Sequence, residues 1–171
     1  IIVEDGRFAL NRLEHTYTMI GIDAYRVPYV PWHLTTVEFF EEARDRLAED
    51  GVLVMNVGRT SNDRRLIEVL TRTLLEVFPT VHTLDVPNSY NTILVATVQP
   101  TQPGNLAANL SALPPDAHPI LREALTDAAS SIVPTTPGDR VLTDDHAPVE
   151  SIVDSMVIEF LLGGGLAEFT N

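Results

Sequence analysis

Two short apolar runs near the start of this chain each end on an aspartate. Ile1-Ile2-Val3-Glu4-Asp5-Gly6-Arg7 reads as the end of a buried strand entering an acidic turn. Tyr17-Thr18-Met19-Ile20-Gly21-Ile22-Asp23 repeats the pattern. Open α/β sheets place their ligands at the carboxyl ends of consecutive strands. This opening, with no lead-in before the first strand, predicts the second half of a nucleotide-type domain.

The pattern downstream agrees. Residues 7–13 carry a short helical pattern, and 26–34 read as a loop because Pro28 and Pro31 exclude a helix. Thr35-Thr36-Val37-Glu38 reads as a capping box opening a helix that ends at Gly51, with Val37, Phe40, Ala43 and Leu47 on one face. Residues 52–57 form a continuous apolar run, as in a strand buried on both faces. Residues 63–78 predict a helix that turns Leu66, Val69, Leu70, Leu74 and Val77 inward. Strands at 81–86 and 92–98, separated by Pro87-Asn88-Ser89-Tyr90-Asn91, predict an antiparallel edge on an otherwise parallel sheet. Residues 99–115 and 130–140 read as loops flanking a helix at 120–129, and a last helix near 152–162 stops at Gly163-Gly164-Gly165. Strands alternating with helices make the fold class α/β.

Composition narrows the chemistry. The chain has no cysteine, which excludes a thiolate nucleophile, disulfides and a cysteine zinc site. Its net charge of −13 without a basic cluster disfavours nucleic acid as a partner and tolerates a cationic ligand. No apolar run approaches the length of a membrane-spanning helix. The five histidines show no metal spacing, and no metal site is expected. From the residues alone Asp5 has two readings, a ligand contact or a helix cap; Asp23 likewise has two, a ligand contact or a turn opener.

Further motifs carry a resemblance. Glu4-Asp5-Gly6-Arg7, the 17–23 strand, Pro31-Trp32-His33-Leu34-Thr35-Thr36-Val37-Glu38-Phe39-Phe40, Gly51-Val52-Leu53-Val54-Met55-Asn56 and the island Leu142-Thr143-Asp144-Asp145-His146-Ala147-Pro148-Val149-Glu150 together resemble the spermidine synthase (polyamine aminopropyltransferase) family. The likeness is to its carboxyl-terminal part, and to the bacterial spermidine synthase-like proteins that can be fused to a membrane transporter-like domain. It covers most of 1–98 and then 141–150.

The resemblance implies a partial Rossmann-like, S-adenosylmethionine-methyltransferase-type sheet with an antiparallel last strand and a helical carboxyl-terminal tail. Residues 1–98 would form the second half of that domain, and 99–171 an extension packing on it. It implies aminopropyl transfer from decarboxylated S-adenosylmethionine to a polyamine such as putrescine, the full-length parent being the enzyme. The donor is a co-substrate, with no permanently bound cofactor. Asp5 and Gly6 would contact the donor, with Asp5 against its adenine. Asp23 matches the catalytic aspartate, and Tyr25, Asp144 and Asp145 would serve the acceptor. An amine with a pKa of about 10 must lose a proton to attack, and a strand-end carboxylate can hold the ammonium and take that proton.

Where family members often carry a second aspartate, three residues past the catalytic one, this chain has Arg26. The family's glycine-rich donor loop and ribose-binding acid precede the part matched here. The isolated chain is therefore expected to be inactive. A cytoplasmic setting, with a membrane tether in a longer parent, and a homodimer are the expected context. The alternative is a methyltransferase-like or non-catalytic binding protein of the same fold.

Overall fold

The computed structural model describes residues 1, 3–24 and 29–163. Their order is α1 (Gly6–Arg12), β1 (Tyr17–Ile22), a 3-10 turn (Trp32–Leu34), α2 (Val37–Asp45), β2 (Leu47–Gly58), α3 (Arg65–Leu74), β3 (Thr80–Asp85), β4 (Asn91–Thr97), α4 (Gly104–Ala112), α5 (Pro119–Ser131), β5 (Ile132–Val133) and α6 (Val149–Leu162). The strands form one mixed sheet in the order β1-β2-β4-β3-β5. β1 and β2 are parallel, while β4 is antiparallel to both β2 and β3. The fold is α/β, as expected.

The strand–turn–strand at β3 and β4 forms as expected, but not as an edge. β4 inserts between β2 and β3 and pairs along its whole length on both sides. Its apolar run from Ile93 to Ala96 suits that interior place. The reversal between the strands is made by Asn88, whose φ of 54° is left-handed and best tolerated outside glycine by Asn and Asp.

Three sequence expectations shift. Ile1 and Val3 form no strand and stand fully exposed, because no described strand runs beside them to complete a ladder. Helix α2 ends at Asp45 rather than running to Gly51, since the Arg46 carbonyl accepts the Tyr17 amide (2.8 Å) and Leu47 already pairs with Tyr17. The register then jumps from Tyr17–Leu47 to Met19–Val52, and the chain doubles tightly through Gly51. A Cβ at Gly51 would stand 3.0 Å from the Ala48 carbonyl oxygen, so only glycine fits without a shift. Residues 104–112, read as part of a loop, form α4. The proline, asparagine and glutamine around them mask a run of Leu106, Ala107, Ala108, Leu110 and Ala112, all strong helix formers.

One core gathers on one face of the sheet. Phe40 and Ala43 from α2, Leu70 and Leu74 from α3, Leu53, Met55 and Val57 from β2 and Leu94 from β4 are fully buried there. The five inward residues expected of the 63–78 segment are all buried, although α3 proper is shorter. Val149, Val153 and Met156 bring α6 onto the same core. Along β2 burial alternates instead of covering both faces: Leu53, Met55 and Val57 are buried, while Val52 and Val54 are only half-buried. The second face meets α4 and α5, and neither contributes a buried residue. No described helix is long and apolar enough to cross a membrane.

Candidate functional site

Asp23 follows the last residue of β1. Register puts Ile22 opposite Met55, so Asp23 lies beside Asn56 of β2. The Asn56 side-chain amide donates to the Asp23 carboxylate at 3.0 Å. That bond fixes one carboxylate oxygen and leaves the other for a ligand. Both residues line a cavity of about 350 Å³ with Gly58, Arg59, Leu66, Tyr90, Met156 and Val157 among its walls. The floor is the carboxyl end of the sheet, and α6 closes the far side. A mainly apolar cleft with one carboxylate at the sheet's carboxyl edge suits an aliphatic cation. A second cavity, of about 540 Å³, adjoins it across Thr60 and Met156.

Asp5 caps α1. Its carboxylate accepts the Phe8 amide at 3.0 Å, and its other oxygen lies 2.8 Å from His33 Nε2. The Phe8 amide, with His33 beside it, holds the Asp5 carboxyl below the usual carboxylate range. Asp5 thus has the cap role open to it from the sequence, and it remains half exposed with room for a further donor. Gly6 begins α1, and a Cβ there would meet nothing within 4 Å, so its place reflects no steric demand.

Two residues on, Arg7 joins three parts of the chain. Its guanidinium donates to Glu42 of α2 (2.6 and 2.8 Å), to Asp144 (2.8 and 2.9 Å) and to the His33 carbonyl (3.2 Å). Glu42 first, and then Asp144, raise the Arg7 pKa well above its ordinary value; Arg7 in turn holds both carboxyls low. Asp144 also accepts the Thr36 hydroxyl at 2.7 Å, and its own amide donates to Glu38 at 3.0 Å. The expected capping box is offset by one residue: Thr36 is the cap, accepting the Phe39 amide at 3.3 Å, and Glu38 is turned to the Asp144 backbone.

The structure therefore separates the proposed site residues into two groups. Asp23 lines the cavity, whereas Asp144 does not and is committed to Arg7 and Thr36. Asp145 is exposed in the turn between Thr143 and His146. Tyr25 and Arg26 lie outside the described residues. Sequence reading did not single out Asn56, Arg59 or Met156 as cavity residues. Asn56 carried a signal, the one polar residue interrupting the apolar run 52–57. Arg59 and Met156 carried none, since one follows a strand and the other reads as core. Among the described residues no group of three metal-ligating side chains comes together.

Comparison with known proteins adds kinship to this geometry. No family model matches the chain. It is 32% identical over 165 residues to a probable polyamine aminopropyl transferase of Bifidobacterium longum (strain NCC 2705), covering 85% of this chain and 36% of that relative. A probable spermidine synthase from Corynebacterium glutamicum ATCC 13032 superposes with a TM-score of 0.55 at 24% identity, covering 74% of this chain and 51% of that one. The spermidine synthase of Thermotoga maritima gives 0.53 at 19% identity, covering 78% and 46%. Human methyltransferase-like protein 13, in complex with SAH, gives 0.52 at 19% identity, covering 84% and 64%. The chain thus spans about a third of the curated relative's length and about half of the spermidine synthases'. The resemblance drawn from the sequence agrees with these relatives in family likeness and fold: the chain is similar over most of its length to a probable polyamine aminopropyl transferase, and its sheet has the spermidine synthase and methyltransferase fold.

Proposed function

We propose that this relative of the polyamine aminopropyl transferases is the acceptor-side part of an enzyme that moves an aminopropyl group from decarboxylated S-adenosylmethionine to an amine. One observation carries the reading. Asp23, oriented by Asn56, faces a largely apolar cavity at the carboxyl end of a methyltransferase-type sheet. Kinship to a probable polyamine aminopropyl transferase supports the choice of reaction. Residues 1–98 then supply four of the five strands, the strand-end carboxylate Asp23 and the helix-capping carboxylate Asp5, and 99–171 an extension that adds β5 and whose last helix walls the acceptor cavity.

In this mechanism the acceptor enters as an ammonium and gives a proton to the Asp23 carboxylate, which relays it to water. The freed nitrogen lone pair attacks the propyl carbon next to the sulfonium. A carbon–nitrogen bond forms, the carbon–sulfur bond breaks, and sulfur keeps the electron pair and leaves as a neutral thioether. The Asn56 amide holds the carboxylate in line, and the apolar walls exclude water around the carbon chain. Asp5 and Gly6 are the donor-side residues of this reading, Asp5 presenting a carboxylate edge to the adenine amino group.

The test uses the full-length parent protein. Asp23→Asn is expected to lower kcat on the order of a hundredfold to ten-thousandfold, the usual range for loss of a positioned base. Equal activity of the variant would remove Asp23 as the base. A competition between S-adenosylmethionine and its decarboxylated form checks the reaction class. Preference for the carboxylated donor would favour a methyltransferase of the same fold.

A further inference from the structure

The two adjoining cavities at the carboxyl end of the sheet differ in lining. The first is largely apolar around Asp23. The second is walled by Thr60, Asp63 and Arg65 at the start of α3 and by Glu159 and Phe160 near the end of α6. Helix α6 runs beside both: Val153, Met156 and Val157 line the first, and Met156, Glu159 and Gly163 the second. At 1.5 Å per residue, the stretch from Val153 to Gly163 covers about 15 Å. An extended four-carbon diamine measures about 6 Å between its nitrogens, at about 1.25 Å per bond of a tetrahedral chain. A diamine held by Asp23 spans less than half of the joined length.

The charges of the second cavity do not balance. Asp63 and Glu159 meet on one guanidinium. Arg65 donates to Asp63 from Nε (3.0 and 2.9 Å) and from Nη2 (2.5 Å), and the same Nη2 lies 2.9 Å from Glu159. Asp63 therefore takes up Arg65, and Glu159 keeps most of its acceptor sites for another cation. The neighbouring pairs do not cancel this charge. Arg59, on the wall of the first cavity, donates to the carbonyls of Ser89 (3.2 Å) and Thr60 (3.4 Å). It shares Asp85 with Arg64. Among the described residues that line the two cavities, or pair with those that do, Asp23, Asp63, Asp85 and Glu159 face three guanidiniums, Arg59, Arg64 and Arg65.

An independent observation is aromatic. Tyr90 on the first wall and Phe160 on the second stand 6.1 Å apart between ring centroids, at 70°. This edge-to-face pair spans the boundary, where Thr60 and Met156 belong to both cavities. Aromatic ring faces attract an ammonium within about 6 Å. Three features that favour a positive charge thus follow one another: the Asp23 carboxylate, the aromatic pair and the Glu159 carboxylate.

We infer that the acceptor held by the two cavities is a linear triamine, with one terminal nitrogen at Asp23, the internal ammonium against the Tyr90–Phe160 pair and the far ammonium at Glu159. The inference rests on the transfer reading above and narrows its acceptor from amines in general to triamines. An extended triamine of ten chain atoms measures about 11 Å, within the joined length. Glu159 is 63% exposed, so water screens its hold on the far ammonium to that of a surface ion pair. The preference comes from length and several modest contacts together.

The experiment compares three acceptors on the full-length protein with decarboxylated S-adenosylmethionine: 1,4-diaminobutane, N-(3-aminopropyl)-1,4-diaminobutane, and N-propyl-1,4-diaminobutane, which lacks only the far ammonium. The triamine should exceed the propyl analogue in kcat/KM by about threefold to fivefold, and the diamine by at least as much. Glu159→Gln should bring the triamine down to the propyl analogue. A wild-type preference for the diamine overturns the inference, as does a triamine no better than the propyl analogue or a Glu159→Gln loss equal for all three. Calorimetric affinity for the same amines, measured without donor, separates this from failure of the transfer reading. With no turnover on any acceptor, tighter binding of the triamine than of the propyl analogue still supports the assignment of Glu159, and equal binding defeats it. The wild-type comparisons need no variant, so they stand even where Glu159→Gln folds poorly.

Discussion

Replacing Asp144 by alanine tests how the 142–150 island is attached to the rest of the fold. Its carboxylate accepts two bonds from Arg7 and one from Thr36. Hydrogen bonds to charged groups contribute about 1.5–3 kcal/mol each when shielded from water. Asp144 is 39% exposed, so screening cuts that figure sharply. Arg7 keeps Glu42 and is not orphaned, but the Thr36 hydroxyl, on a fully buried residue, loses its acceptor. A net loss of about 1–2 kcal/mol follows, read as a shift in the urea midpoint by far-ultraviolet circular dichroism. The pH dependence has a definite sign. Arg7 and Thr36 hold the Asp144 carboxyl below its unfolded value. Its contribution is therefore fully present above the unfolded pKa of about 3.9 and fades as pH falls through the lower folded value. Wild type and Asp144→Ala should differ at pH 7 and converge in acid. A difference under about 0.5 kcal/mol at pH 7, or one unchanged in acid, would refute the claim that this ion pair fastens the island.

Two further outcomes test the packing. Thr36→Ala removes both the α2 cap and the Asp144 partner, and should cost about 1–2 kcal/mol in the same assay. If it costs no more in the wild-type background than in Asp144→Ala, the two residues do not act together. Phe40→Ala empties a fully buried site where α2 meets the core, with an expected loss of about 3–5 kcal/mol in thermal or urea unfolding.

The amino-acid sequence carried the sheet and its site to different depths. Asp23 at a strand end and the apolar runs were readable because one strand's geometry determines them: β1, the core of β2, and β3–β4 fall where those runs placed them, whereas the strand expected before Asp5 does not form. The inward face of α3 was readable for the same local reason. The place of β4 inside the sheet was not, because strand order depends on which strands meet and no local period records that. Arg59 was hidden in the same way. Its place on the cavity wall comes from the Ser89 and Tyr90 carbonyls it donates to, some thirty positions on. Asp144 showed the opposite case: its acidity was visible, but a formal charge does not reveal that Arg7, 137 positions earlier, has claimed it.

Among the described residues β1 is paired on one side only, and Met19 on it is 61% exposed. Asp23 sits one residue beyond this edge strand, with Asn56 on its inner flank. Its outer flank is whatever lies along β1, water or polypeptide. The strength of a charge contact changes about fourfold between bulk water and the surroundings of a protein surface. The grip of Asp23 on an ammonium is thus set partly from outside its own cavity. Covering that edge would tighten it without altering a single residue of the wall.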